Sequence, residues 1–206
     1  MCINRALLMN SEGLLTAGRV EKLASGSGSG LICLCMLLMT AALWVFDASA
    51  EGRNHGGTPA YRPRIVASYP HDRQAFTQGL VYADGFLYEG TGLTGASSLR
   101  KVDLRTGRVL KEVRLDPSHF GEGIALFRDR IVQLTWQSRM GFVYDKATFR
   151  LLRTFGYPWE GWGITHDGRR LILSDGTSVL HFLGPENFRE ISSIAISDEK
   201  GPVLGL

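Results

Sequence analysis

The sequence predicts an all-β protein of the β-propeller class, and three observations carry that prediction. A short phrase recurs as Phe76-Thr77-Gln78-Gly79-Leu80, Phe120-Gly121-Glu122-Gly123-Ile124 and Glu160-Gly161-Trp162-Gly163-Ile164. The glycines Gly79, Gly123 and Gly163 lie 44 and 40 residues apart, within the period of about 40 to 50 residues that marks a propeller blade. After each phrase come short apolar runs separated by turn residues, and no segment carries a helical pattern of useful length. Gln78, Glu122 and Trp162 then occupy equivalent places in three blades, aimed at one axis.

The first fifty residues read as a targeting segment. Leu31 to Phe46 is a continuous apolar run of 16 residues, preceded by Arg19 and Lys22 and followed by Ala48-Ser49-Ala50. A basic region, an apolar stretch and an A-x-A site make a secretory signal peptide, with cleavage expected after Ala50. The alternative is a retained anchor, but the run is short of the roughly 20 residues a spanning helix needs. The mature protein is therefore expected in a secreted or periplasmic setting, with no stable membrane association once the signal is removed. Ser25 to Gly30 is a low-complexity Ser/Gly tract, and Met9 is an alternative start. Residues 51–62 are polar and Gly-rich, a flexible leader to the body that begins at Pro63.

In the body, Ile65 to Tyr69 reads as a strand closed by Pro70. Gly79 to Tyr82 and Phe86 to Tyr88 form a hairpin across Asp84-Gly85. Ser98 to Leu104 and Val109 to Leu115 alternate apolar and polar residues across the Thr106-Gly107 turn. The four strands after Pro70 are one blade's worth. The second unit repeats the plan through Gly123–Phe127, Ile131–Thr135, Gly141–Tyr144 and Arg150–Phe155. The third does so through Gly163–Thr165, Arg170–Leu173, Val179–Phe182 and Phe188–Ile196. Turns at Asp103, Asp145 and Gly184 keep step, 42 and 39 residues apart. Three units do not close a ring, since propellers have four to eight blades; the chain reads as roughly half of one, and as truncated.

Composition excludes several classes. The chain has 206 residues, 44% hydrophobic and 21% charged, which is ordinary for a globular protein. Its formal charge of +3 comes from scattered Lys and Arg, without the clustered basic face that nucleic acid requires. Cys2, Cys33 and Cys35 are the three cysteines, so the body has neither a disulfide nor a thiolate metal site. The five histidines show no ligand spacing such as H-x-x-x-H. His119 abuts the Glu122 phrase and is the one histidine worth testing there.

With these residues laid out, the chain resembles the glutamine cyclotransferase family of plants and bacteria, the papaya-latex type of glutaminyl-peptide cyclotransferase. The resemblance runs from about Pro63 to Val203. Its phrases are Ala75-Phe-Thr-Gln-Gly-Leu80, Tyr88-Glu-Gly-Thr-Gly92, Leu99-Arg-Lys-Val-Asp103, Phe120-Gly-Glu-Gly-Ile124, Leu134-Thr-Trp-Gln137, Gly161-Trp-Gly163 and Ser174-Asp-Gly-Thr177. The resemblance implies a five-bladed propeller that converts the N-terminal glutamine of peptides or proteins to pyroglutamate and releases ammonia. It implies Glu122 as the catalytic carboxylate and Phe76, Gln78, Phe120, Trp136 and Trp162 as the substrate pocket. No cofactor and no metal are implied. The family also uses an asparagine, a further tryptophan and a lysine from later blades. After Pro202-Val203 this chain ends in Leu204-Gly205-Leu206 where the family continues Asn-Glu-Leu-Glu.

The chemistry fits those residue types. The α-amine must lose its proton to attack, and ammonia needs a proton to leave; one carboxylate can serve both steps. A Glu ringed by aromatics is desolvated, which raises its pKa toward a useful value. Aromatic faces also hold an ammonium, and a Gln supplies both donor and acceptor to an amide.

Each residue also has a structural reading. Glu122 could satisfy backbone N–H groups at the funnel mouth, Gln78 could stabilise a turn, and Trp136 and Trp162 could be inter-blade packing, the role given to Trp159. Glu89 faces the channel or serves a turn, and Asp175-Gly176 reads as a hairpin turn. Two other functions stay open: an inactive fragment of such an enzyme, and a non-catalytic propeller that binds peptides.

Overall fold

The computed structural model describes residues 5–9, 14–22 and 61–206. The described residues divide into two compact units, the first holding residues 5–8, 16–22 and 61–67 and the second residues 9, 14–15 and 68–206. Strands β1 (Arg5–Met9), β2 (Leu14–Lys22) and β3 (Tyr61–Pro70) pair in that order as a three-stranded sheet. β3 contains the strand expected at Ile65–Tyr69 and begins within the stretch read as leader. β1 and β2 fall inside the segment read as a signal peptide, whose apolar run and Ala48-Ser49-Ala50 site lie outside the described residues.

The second unit is built from three sheets of one design. β4 (Thr77–Ala83), β5 (Phe86–Thr91), β6 (Ser98–Asp103) and β7 (Val109–Arg114) form a four-stranded antiparallel meander. β8 (Gly121–Phe127), β9 (Arg130–Thr135), β10 (Met140–Asp145) and β11 (Leu151–Gly156) form the next. β12 (Ile164–His166), β13 (Leu171–Ser174), β14 (Val179–Leu183) and β15 (Glu190–Ala195) form the third. A two-residue pair, β16 (Ser197–Asp198) with β17 (Gly201–Pro202), follows. The first strands of the three sheets are neighbours, β4 against β8 and β8 against β12. Four-stranded meanders whose first strands lie side by side are the blades of a β-propeller.

The repeat extends to its irregularities. In each blade the register between third and fourth strands slips once, at Lys101/Val102, Val143/Tyr144 and Phe182/Leu183. The slip is fed by the same turn. Gly107, Phe149 and Phe188 sit at φ 68°, 63° and 57°, and each donates its N–H to the carbonyl of the residue four back, at Asp103, Asp145 and Gly184. In the first two blades the Asp side chain locks the turn by accepting from the backbone N–H and hydroxyl of Thr106 or Thr148. A short polar side chain that bonds its own backbone a few residues on is the reason Asp is favoured there.

Hydrophobic burial lies between blades. Tyr88, Leu99, Ile124, Ile131, Tyr144 and Phe149 form a cluster between blades one and two; Phe127, Val132, Leu134, Val143, Ile164, Leu171, Leu173 and Leu183 form one between blades two and three. β9 sends Ile131 to one cluster and Val132 to the other, so its central residues are buried on both faces. Each fully buried aliphatic side chain contributes about 1.5–3 kcal/mol. The fourth strands differ from expectation: Val109, Leu110, Leu151, Leu152, Ile191 and Ile194 are exposed, because they lie outside both inter-blade clusters and no neighbouring blade covers them.

The first strands approach so closely that a side chain cannot intervene. The backbone N–H of Gly123 donates to the carbonyl of Trp162 in the next blade, at 2.9 Å. A Cβ on Gly123 would meet that same oxygen at 2.6 Å, and a Cβ on Gly79 would meet the Ile124 nitrogen at 2.5 Å. The recurring glycine of the phrase is therefore a packing requirement at the axis.

Candidate active site

The site forms at the leading ends of the first strands. The pairing of β4 with β5 slips between Thr77 and Gly79, and that of β8 with β9 slips between Gly121 and Ile124. Gln78 and Glu122 sit in these two bulges. An extra residue breaks the strict alternation of faces and re-aims a side chain, here toward the axis. Trp162 lies just ahead of β12, with its N–H on the Ser174 carbonyl, and Ser174 returns its own N–H to the carbonyl of Gly163.

The three side chains meet in one open cavity of about 570 Å³, lined by Phe76, Gln78, Phe120, Glu122, Trp136 and Trp162 with Gly163, Ser174 and Leu206. All six residues singled out from the sequence are in it. Gln78 Nε2 donates to Glu122 Oε2 at 2.9 Å. The aromatics form a continuous wall around that pair: Phe76 meets Phe120 edge-on at 6.1 Å, and Phe120 meets Trp136 edge-on at 5.8 Å. Phe76 and Trp162 are 49% and 40% exposed, so neither is inter-blade packing; both stand at the open mouth.

Electrostatics follows from that enclosure. Burial pushes the Glu122 carboxyl up from 4.5 to about 7, the Gln78 hydrogen bond opposes the rise, and the charge on Glu160 adds to it. Glu122 is thus a carboxyl that takes or gives a proton near neutrality.

Glu160 is the residue that sequence reasoning missed. Its Oε2 accepts the indole N–H of Trp136 at 2.6 Å and that of Trp162 at 3.1 Å. These hydrogen bonds hold its pKa below the ordinary carboxylate value. One signal for it was in the repeat: Glu160 stands where the other two phrases have Phe76 and Phe120.

Two further devices hold the wall. Blade two carries Trp136 where blades one and three carry Gly92 and Gly176. A Cβ on Gly92 would lie 2.5 Å from the Phe120 ring, and one on Gly176 would lie 2.6 Å from the Trp162 ring. The rings occupy space that the glycines leave free. Beneath them the Tyr157 hydroxyl accepts the Thr135 N–H at 3.0 Å and donates to the carbonyl of Thr135 at 2.6 Å. A Cβ on Gly161 would lie 2.3 Å from that hydroxyl, so one phenol supports both Trp136 and the loop that carries Trp162.

Other candidates lie elsewhere. Glu89 neither faces the channel nor serves a turn: it is 1% exposed on β5, bonded to His71 Nε2 at 2.8 Å and to the Thr77 hydroxyl at 2.5 Å. A buried carboxylate needs such partners, which outweigh the turn-like glycines around it. His119 does not line the cavity and packs edge-on against Phe142 at 5.4 Å. Asp175 does close a turn, accepting from the N–H and hydroxyl of Thr177, and it also meets His181 at 3.2 Å. Trp159 stacks on that histidine at 3.7 Å, a packing role as expected.

A propeller that converges an acid, an amide and a wall of aromatics on its axis is a class of protein with a funnel-mouth site. The comparisons place the chain within that class. The family model for glutamine cyclotransferase matches residues 37–206, so the chain belongs to the glutamine cyclotransferase family. The glutaminyl-peptide cyclotransferase of Arabidopsis thaliana is 39% identical over 166 residues, covering 77% of this chain and 52% of its own length. The crystal structure of Myxococcus xanthus glutaminyl cyclase matches with a TM-score of 0.64 at 33% identity, covering 68% of this chain and 60% of that one. The Neurospora crassa Pan2 WD40 domain matches with a TM-score of 0.54 at 10% identity, covering 93% of this chain and 49% of that one, a likeness of fold alone. This chain spans about half the length of the curated relative it matches.

Proposed function

We propose that this chain carries the reactive funnel of a glutaminyl-peptide cyclotransferase, which closes an N-terminal glutamine to pyroglutamate and releases ammonia. The observation that carries the reading is Glu122, a carboxyl raised to about 7, bonded to Gln78 and enclosed by aromatics in one cavity. The substrate's α-amine nitrogen bonds to the side-chain carboxamide carbon as the bond from that carbon to the amide nitrogen breaks. Glu122 takes a proton from the attacking nitrogen and passes it to the departing one, which leaves as ammonia. Gln78 orients the carboxylate through its N–H and offers its oxygen to the amide. Phe120, Trp136 and Trp162 hold the side chain in the rotamer that brings amine and carboxamide together, and an intramolecular attack gains most from such restraint. The substrate is a peptide or protein with N-terminal glutamine, and no cofactor enters the scheme.

We propose that the protein acts after export, in a secreted or periplasmic setting, on peptides with a free N-terminal glutamine. The apolar run Leu31–Phe46 and the Ala48-Ser49-Ala50 site support removal of residues 1–50, leaving 51–62 as a leader. N-terminal sequencing of exported protein is expected to begin at Glu51.

The test is Glu122→Gln. Ammonia release from Gln-Phe-Ala is expected to fall by about 10² or more, the scale of one general acid–base group, while the peptide still binds. Unchanged turnover would remove Glu122 from this role. Binding without ammonia release by the unaltered chain would favour a peptide-binding propeller.

A further inference from the structure

Glu160 is tied to the cavity by geometry that the proposed reaction does not use. One carboxylate oxygen receives two indole N–H groups, from residues on different blades. Two donors on one anionic acceptor are strong, directional bonds. Trp136 extends from the end of β9 and Trp162 from the loop before β12, so neither backbone fixes the ring of the other. The clamp does.

We propose that Glu160 is a positioning residue of this site: its carboxylate pins the Trp136 and Trp162 indoles in one arrangement and keeps a fixed negative charge at the mouth toward an incoming α-ammonium. This rests on the cyclotransferase reading above. The charged and polar groups around the clamp agree with it. Gln137 and Arg139, which follow Trp136, face Glu160 and favour its ionised form, as do both indoles. Glu122 sees Gln78, Glu160 and the buried phenol of Tyr157. Glu160 is the like charge among these, so its ionisation favours the protonated form of Glu122. Glu160 stays ionised at the rim, while Glu122 at the axis, raised to about 7, exchanges a proton near neutrality. A cationic N-terminus thus meets a fixed charge that the proton transfer does not consume.

Two substitutions separate the clamp from the charge. Glu160→Gln keeps an acceptor oxygen for the indoles and removes the charge. Its KM for Gln-Phe-Ala is expected to rise about threefold, the scale of one exposed charge pair, while the acidic limb of kcat/KM moves to lower pH because Glu122 no longer faces the like charge of Glu160. Glu160→Ala removes both, and KM is expected to rise about tenfold, the loss of roughly one charge-assisted hydrogen bond. Tryptophan emission of the ligand-free protein is expected to change in Glu160→Ala and to persist in Glu160→Gln. A merely structural role would lower Tm in the Ala variant without moving the pH limb in the Gln variant. Unaltered KM in Glu160→Ala together with an unmoved limb in Glu160→Gln would overturn the proposal. If the unaltered chain releases no ammonia, the cyclotransferase reading fails first; equal emission in all three proteins would then overturn the clamp on its own.

Discussion

Tyr157 offers a measurable link between the fold and the site. Its hydroxyl accepts the Thr135 N–H and donates to the carbonyl of Thr135, with the Met140 carbonyl 3.1 Å away. Tyr157→Phe leaves the ring and its packing in place and deletes this exchange. Each lost hydrogen bond costs about 0.5–1.5 kcal/mol, and a buried N–H left without a partner costs about 1–3 kcal/mol. A total near 2–3 kcal/mol is expected, read as a lower urea midpoint at unchanged m-value. Tyr144→Phe is the control: its ring is buried to the same degree, burial alone raises its pKa, and the change should stay within about 0.5 kcal/mol. Because the Tyr157 hydroxyl also lies under Gly161, the same variant should loosen Trp136 and Trp162 and raise KM several-fold. Equal stability losses in the two variants would refute the assignment of the cost to hydrogen bonding.

Gly92→Ala brings a Cβ to 2.5 Å from the Phe120 ring and 3.0 Å from Gln78, and should cost about 1–3 kcal/mol as overpacking does, with a larger fractional loss in kcat/KM than in Tm. Gln78→Leu removes the hydrogen bond that lowers the Glu122 pKa; the acidic limb of kcat/KM should move up in pH, opposite to the shift in Glu160→Gln, and a downward move would contradict the stated cause. His71→Ala removes one hydrogen-bond partner of the buried Glu89 side chain and leaves it beside Thr77 alone, which should cost about 1–3 kcal/mol in chemical denaturation. Glu89→Gln, by contrast, should leave KM for Gln-Phe-Ala unchanged, since Glu89 lies outside the cavity.

Much of this molecule was legible in its sequence because a repeat states each local decision three times. The Asp-Thr turns at Asp103 and Asp145 and the glycines Gly79 and Gly123 are short-range or strictly positional, and a single chain records them. Glu122 stood out because it is the one carboxylate set between two glycines at the polar position of the repeated phrase, where the other units carry Gln78 and Trp162. Glu160 did not, because only the structure joins its neighbour Trp162 to its second indole partner, Trp136, which is 24 residues away. Glu89 misled for the converse reason: Gly90-Thr91-Gly92 reads as a turn, whereas the structure continues β5 to Thr91 and buries the acid against a histidine 18 residues upstream. The bulges that aim Gln78 and Glu122 are pairing slips, visible once the partner strand is known.

The amide that Gly123 shares with Trp162 sets a limit on breathing. It ties one blade to the next directly beneath Glu122, at a spacing where even a Cβ would strike the facing backbone, so the strands have no slack to part there. Ligand traffic must therefore run through the open rim, and deuterium should enter the Gly123 amide as slowly as it enters the deepest residues of β9.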